Sequence, residues 1–477
     1  MSKNSYPVQS LLFFIISFVL FTLRDLYNPL FIYFLLNINL LFYVTFNLFK
    51  IWKKSDYNFF FNPLAISLII NFLFFSGGLT YFFLYENYSP ISQVNSEINV
   101  NSIYYAESGF LINISSILMV FGYNSKIAFN FNRYILKTFK SFSYIEFKIK
   151  PFSIVILILL TYSSKLLLFY NGLFGRIGGH DSALSSILSL SSKLGLLTIL
   201  LSSYNYFKYG RNKFLFYLCL ILEIFFSFLE AARSPIISLF LLLFIVKLYV
   251  KPRIKIKSII YGILVFIIAF TVVTEFKKYV EDGNVSSTNV RTIFSDFFEN
   301  KLKKSEFDYK DFKINSFGRL NYVSELSSAI QYKHQTGLRK NDPNFLKSIY
   351  LIPIKVFFPN SFLGLKNNYF GDWFRYTVLN RGMITQQYNV AFSPIAFLLF
   401  SGGYIFVVIG FLFYGILLKS VDNLPQLGFT GFIFFILLGS SIFQFKTNIP
   451  SNVVTFFRFL ILIPVTFKIL RLFKVIK

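Results

Sequence analysis

The chain is short of most of the side chains that carry conventional chemistry. It has one cysteine, two histidines, two tryptophans and three methionines among 477 residues. The single Cys219 lies within an apolar run, so no intramolecular disulfide and no cysteine-based metal site can form. His180 and His334 are far apart and lack the carboxylate spacing of a zinc site, and no metal is expected. No G-x-x-x-x-G-K-[S/T] loop occurs, which removes nucleotide hydrolysis as a driving force, and no cofactor is expected. Charge is scarce as well: charged residues make up 14% of the chain, with only 21 Asp and Glu against 47 Lys and Arg. A soluble globular chain needs more than this to cover its surface. No small-residue cleavage site separates the first apolar run from the next, so that run reads as a retained helix and not a signal peptide.

What is present is apolar bulk, with 55% hydrophobic residues and 67 phenylalanines. The net charge of +26 would suggest nucleic acid in a soluble protein. Here apolar runs of about 20 residues recur along the whole length, each enough to cross roughly 30 Å of hydrocarbon. The expected partner is therefore the lipid bilayer, with no nucleic acid. About twelve spans can be placed, near 8–23, 29–49, 62–85, 107–124, 152–170, 185–206, 214–230, 234–250, 257–275, 393–418, 427–445 and 451–472. The 393–418 segment contains Ser401-Gly402-Gly403 and is expected to be broken or re-entrant there.

Orientation follows from the basic residues in short loops. Placing the N-terminus inside puts nearly all of them on the inner side, including Lys50, Lys53, Lys54, Lys126, Arg133, Lys137 and Lys140. Only Arg24, Arg176, Arg233 and Lys446 fall in short outer loops. Loop 86–106 agrees, having no Lys or Arg and carrying Glu86 and Glu97, with Glu107 next to it. Both termini are then inside, and the polar stretch from Glu275 to Asn389 is outside. The reading is an all-α polytopic integral membrane protein of the cytoplasmic (inner) membrane with one large external loop. It divides into an N-terminal membrane domain (1–275), the loop (276–389) and C-terminal membrane helices (390–477).

Within the loop, Asn315–Gln335 reads as a helix with Phe317, Leu320, Val323, Leu326 and Ile330 on one face and Asn315 or Ser316 as cap. Leu351–Phe358 is an apolar run interrupted by Pro353, too short to span and suited to the membrane surface.

The outer arginines are the candidate functional residues. Arg233 lies in Glu230-Ala-Ala-Arg-Ser-Pro235, where Ser234 and Pro235 suit the cap and first position of a helix. A cation there opposes the helix dipole, and a bound phosphate or pyrophosphate would reverse the sign. The alternative is an arginine reaching lipid headgroups. Arg319 repeats the pattern after the Asn315-Ser316 cap, or is simply tolerated on an exposed helix. Arg176 sits in Asn171-Gly-Leu-Phe-Gly-Arg-Ile-Gly-Gly-His180-Asp181, whose glycines admit close backbone approach or form a plain flexible turn. Arg375 and Arg381 lie just before the tenth span, with Trp373, Phe374 and Tyr376 positioned either to stack on sugars or to form an aromatic belt. Lys193 and Glu223, both near mid-span, are expected to pair. No paired carboxylates, Ser-His-Asp set or metal cluster emerges. Outer arginines suit a transfer whose leaving group is already good, where orientation and charge stabilisation suffice.

The layout resembles the bacterial O-antigen polymerase (Wzy) family of oligosaccharide repeat-unit polymerases. The likeness lies in the many spans, the large external loop in the C-terminal half, Gly318-Arg319-Leu-Asn-Tyr, Ile352-Pro-Ile-Lys355-Val-Phe-Phe-Pro359, Ser401-Gly-Gly403 and Glu230-Ala-Ala-Arg-Ser-Pro235. Lys355 stands where the family often has an arginine. The resemblance implies a glycosyltransferase-C-like membrane architecture. It also implies transfer of a polyprenyl-pyrophosphate-linked glycan onto an incoming lipid-linked repeat unit. Arg233, Arg319 and Arg176 would hold pyrophosphate, with Lys355, Arg375, Arg381 and Trp373 contacting substrate and His180, Asp181 or Glu230 assisting the acceptor hydroxyl. A chain-length-determinant protein and a flippase are implied partners. Two rival readings remain: a lipid-linked oligosaccharide flippase, which has no use for a long external insert, and an O-antigen ligase, which differs only in its acceptor.

Overall fold

A computed structural model of the chain describes residues 5–84, 100–140, 151–170, 194–229, 233–251, 322–337, 342–358, 370–378, 393–443 and 449–472, with scattered positions between 262 and 273. Among these residues there is no strand. The first helices are α1 (Ser5–Thr22), α2 (Pro29–Ser55), α3 (Pro63–Leu84), α4 (Ser102–Tyr123) and α5 (Lys126–Lys140). Then come α6 (Pro151–Tyr170), α7 (Leu194–Tyr209), α8 (Lys213–Leu229) and α9 (Arg233–Val250). The polar stretch contributes α10 (Tyr322–Thr336), α11 (Phe345–Tyr350), α12 (Ile352–Phe357) and α13 (Phe370–Trp373), the last running into a π turn over Phe374–Val378. The chain closes with α14 (Pro394–Val421), α15 (Gly428–Ile442) and α16 (Ile449–Leu472).

Five helical stretches are long and apolar enough to cross a membrane: Val8–Asp25, Pro29–Lys54, Ser102–Tyr123, Pro151–Tyr170 and Pro394–Ile442, the last holding α14 and α15 in succession. Pro63–Phe75, Pro235–Val250 and Ile449–Val465 are shorter apolar helices. The described chain therefore has the helix lengths and composition of a polytopic membrane protein. Two compact units divide it, Met1–Ile145 with Asp308–Lys468, and Glu146–Phe307 with Ile469–Lys477.

In the first unit α4 is the central helix, buried on nearly every side. Apolar packing gives helices little preference over lipid tails, so small residues and hydrogen bonds decide which faces meet. A Cβ on Gly122 of α4 would lie 2.0 Å from the carbonyl oxygen of Leu412, and one on Gly415 of α14 would lie 2.2 Å from that of Met119. The two backbones are thus in direct contact. Polar side chains tie in the remaining helices. Asn39 donates to Ser17 Oγ (2.8 Å) and Asn113 Oδ1 (3.2 Å), linking α1, α2 and α4, and Asn71 of α3 donates to Ser116 of α4 at 2.7 Å.

Helix α14 starts as its sequence dictates: Ser393 Oγ accepts from Ala396 N at 3.1 Å and Pro394 follows the cap. It is then broken, as the glycine pair suggested. Gly402 (φ −173°, ψ 28°) and Gly403 (φ 73°, ψ −157°) leave the helical region, and the second occupies backbone space that favours glycine. At its far end Asn132 of α5 donates to the carbonyls of Lys419 (2.7 Å) and Asp422 (2.8 Å), supplying donors that a helix C-terminus lacks.

The helix expected in the polar stretch is present as α10, with Val323, Leu326 and Ile330 buried as anticipated, while residues 315–321 lie outside the described set. It is not an exposed loop helix, because Ser324, Ser327, Ser328 and Ala329 are buried too. Ser327 meets Ser108 of α4 at 2.8 Å, and Gln331 accepts from Asn101 N at 3.0 Å. Part of the long polar segment is therefore built into the helix bundle.

Helix α12 buries none of its residues and leaves Ile354, Phe357 and Phe358 exposed, the form expected for an interfacial segment. Its C-terminal carbonyls are met by Arg458 of α16, which donates to Lys355 O, Val356 O (3.2 Å) and Phe358 O (3.4 Å). A cation at a helix C-terminus is favourable, so this arginine within an apolar helix has a structural role.

In the second unit Glu223 of α8 pairs with Lys165 of α6, whose Nζ lies 3.0 and 2.9 Å from the two carboxylate oxygens. Tyr162 adds a hydrogen bond of 3.1 Å. The expected partner was Lys193, which lies outside the described residues.

Candidate functional site

The first unit gathers ionisable side chains from four segments around the break in α14. Glu107 sits in the second turn of α4 with its carboxylate only 5% exposed. The hydroxyl of Tyr404, the first residue after the glycine pair, donates to Glu107 Oε1. His334, near the end of α10, places Nε2 3.0 Å from the same oxygen, and its side chain is 49% exposed. The imidazole stacks on Tyr104 with ring centroids 5.8 Å apart. Glu107 thereby fixes the ring's orientation and favours Nε2 as the protonated nitrogen, leaving Nδ1 as the acceptor.

Lys333 lies beside this pair. Its ammonium donates to Leu399 O, capping the first half of α14, and lies over Gly403. Burial pushes its pKa below the ordinary lysine value, while the nearby Glu107 charge acts in the opposite direction. The fourth segment is the turn after α1. The guanidinium of Arg24 stacks 3.8 Å over Phe21, and Phe21 stacks on Phe110 at 4.2 Å, one turn along α4 from Glu107.

An aromatic cluster holds the polar segment over the first half of α14. Phe345 of α11 stacks on Phe400 at 5.2 Å, and Trp373 of α13 meets Phe345 (5.2 Å), Phe400 (5.5 Å) and Tyr332 of α10 (5.9 Å). The indole N–H of Trp373 donates to Asp342 Oδ1 at 2.9 Å.

Only part of the candidate set named from the sequence can be placed. Trp373 is half-buried in this aromatic cluster. Lys355 is half-buried on α12, and burial pushes its ammonium pKa down. Arg233 is placed by its backbone as the first residue of α9, so it stands in the helix's first turn and not ahead of it. Arg375 is placed by its backbone in the π turn. Arg176, His180, Asp181, Glu230, Arg319 and Arg381 lie outside the described residues.

Glu107, Tyr404 and His334 were missed as a set. One signal was available, since Glu107 is a carboxylate within an apolar helix, where an ionisable group is expensive and calls for a partner. Chemically, a buried carboxylate oriented on a half-exposed imidazole forms an acid–base pair able to take a proton from a hydroxyl and return it. No family model, curated protein or solved structure matches this chain.

Proposed function

We propose that the chain is a membrane glycosyltransferase that polymerises polyprenyl-pyrophosphate-linked oligosaccharide repeat units into surface polysaccharide. The reaction would occur at the outer face of the cytoplasmic membrane. The observation that carries this reading is the seating of α10, from the long polar segment, among apolar helices, where it brings His334 onto Glu107 beside the broken α14. A polar segment held rigidly at the end of membrane helices can meet a sugar while its lipid carrier remains in the bilayer. The basic-residue asymmetry of the short loops supports an inner N-terminus and C-terminus and an outer polar segment. No nucleotide-sugar pool exists on that side, so a lipid-linked donor is the natural substrate.

In this reaction the acceptor sugar hydroxyl attacks the anomeric carbon of the donor glycan. The new glycosidic C–O bond forms as the C–O bond to pyrophosphate breaks, and polyprenyl pyrophosphate leaves with the bonding electrons. The hydroxyl proton passes to Nδ1 of His334, and the Glu107 carboxylate stabilises the resulting imidazolium. The arginines 176, 233 and 319 remain candidates for the pyrophosphate charge.

Deleting the gene tests the reading at the level of the cell. Single repeat units on the anchor indicate a lost polymerase, whereas complete loss of surface repeats would point to a flippase or a ligase. His334→Ala should give the single-repeat pattern at normal protein levels.

A further inference from the structure

Arg24 is a mostly covered cation, its side chain 23% exposed, and two of its donors have no acceptor. Its Nε and Nη1 are sealed from solvent and have no hydrogen-bond partner among the described residues. Asp25 approaches Nε only to 3.6 Å, beyond hydrogen-bond distance, and is itself 61% exposed. Stacking on Phe21 engages the face of the guanidinium and leaves its N–H groups directed outward in the plane. A guanidinium so held presents a fork suited to two oxygens of one anion. The neighbouring Glu107 carboxylate is engaged by Tyr404 and His334 and so does not serve Arg24, and Lys333 adds a second cation.

We propose that Arg24 forms a seat for a phosphate or pyrophosphate group, held by its in-plane N–H groups at the end of α1 beside Glu107. Polyprenyl pyrophosphates and anionic phospholipid headgroups both present a phosphate of this kind. Only the polyprenyl source rests on the transferase reading; the seat itself follows from the two guanidinium donors that lack a hydrogen-bond acceptor.

The full chain in phosphatidylcholine nanodiscs is titrated with farnesyl pyrophosphate and with inorganic pyrophosphate, and is also reconstituted in phosphatidylglycerol nanodiscs without pyrophosphate. Binding is read as ligand-dependent thermal stabilisation. Arg24→Gln should raise the dissociation constant about ten- to a hundredfold. Arg24→Lys should recover only part of the affinity, because the charge remains without the fork. Asp25→Asn should bind as well as the parent. Stabilisation by farnesyl pyrophosphate assigns the seat to a lipid pyrophosphate, and stabilisation by phosphatidylglycerol alone assigns it to a headgroup; loss of either in Arg24→Gln supports the seat. Equal stabilisation of the parent and Arg24→Gln by every probe, or no stabilisation by any, overturns it. So does a lowered stability of unliganded Arg24→Gln with its ligand response intact, which would make Arg24 a structural cation. No acceptor sugar is present, so failure here leaves the polymerase reading standing, and the reverse also holds.

Discussion

The backbone contact between α4 and α14 predicts how packing and chemistry are linked. A methyl group added at Gly122 would sit 2.0 Å from the Leu412 carbonyl oxygen, 2.8 Å from its carbon and 3.0 Å from its Cα. All three are backbone atoms, so no rotamer change relieves the clash. Ordinary contact begins near 3.4 Å, so α4 and α14 must part by roughly 1 Å or more, an overpacking that typically costs about 1–3 kcal/mol. The same two helices carry Glu107 and Tyr404, whose hydrogen bond spans the pair. A displacement of about 1 Å at a catalytic group can cost on the order of a hundredfold in rate. Gly122→Ala should therefore lower the thermal midpoint measured by size-exclusion after heating, and should depress the proposed glycan polymerisation well beyond the loss of folded protein. Gly439→Ala is the comparison, because its added methyl group would meet the Phe443 side-chain ring, which can swing aside. Wild-type stability and activity in Gly122→Ala would refute the claim that this backbone contact sets the site.

Other variants test individual parts. Lys165→Ala should destabilise the protein by about 3–5 kcal/mol by leaving the Glu223 carboxylate, 14% exposed, without its ion partner, and a Lys165→Met, Glu223→Gln double variant should recover much of this in a thermal assay. Asn132→Ala removes the donor shared by the Lys419 and Asp422 carbonyls, with an expected loss of about 1–3 kcal/mol in the same assay. Lys333 has a folded-state pKa held below the unfolded value of 10.5, so the unfolded chain binds more protons between the two values. Its contribution to stability therefore rises with pH across that alkaline window. Lys333→Met should flatten the rise relative to the parent, and an unchanged slope would contradict the burial argument.

Local features of the fold were legible because local chemistry determines them. Ser393-Pro394 starts a helix, Gly402-Gly403 breaks it, and the spacing of Val323, Leu326 and Ile330 gives α10 its buried stripe. The burial of α10 on its other faces was not legible, since serines 324, 327 and 328 read as a polar face until a partner helix supplies Ser108. The pairing of Glu223 likewise depends on which span packs beside it, and here Lys165 of α6 supplies the partner. The cluster of Arg24, Glu107, His334 and Tyr404 joins segments remote in sequence, with no motif to connect them. The charge asymmetry of the loops identified Arg24 as unusual without indicating what it faces.

The most direct test of the central claim is a reconstituted reaction. The purified chain in nanodiscs receives a polyprenyl-pyrophosphate-linked oligosaccharide, with no nucleotide sugar, and the products are resolved by mass. A polymerase of this kind lengthens the glycan by whole repeat units and releases polyprenyl pyrophosphate. His334→Ala should lower the rate by about 10²–10⁴-fold, the range of a lost general base, while remaining folded. Lipid-linked oligosaccharide that stays at one repeat with the parent chain, or full polymerisation by His334→Ala, would contradict the claim.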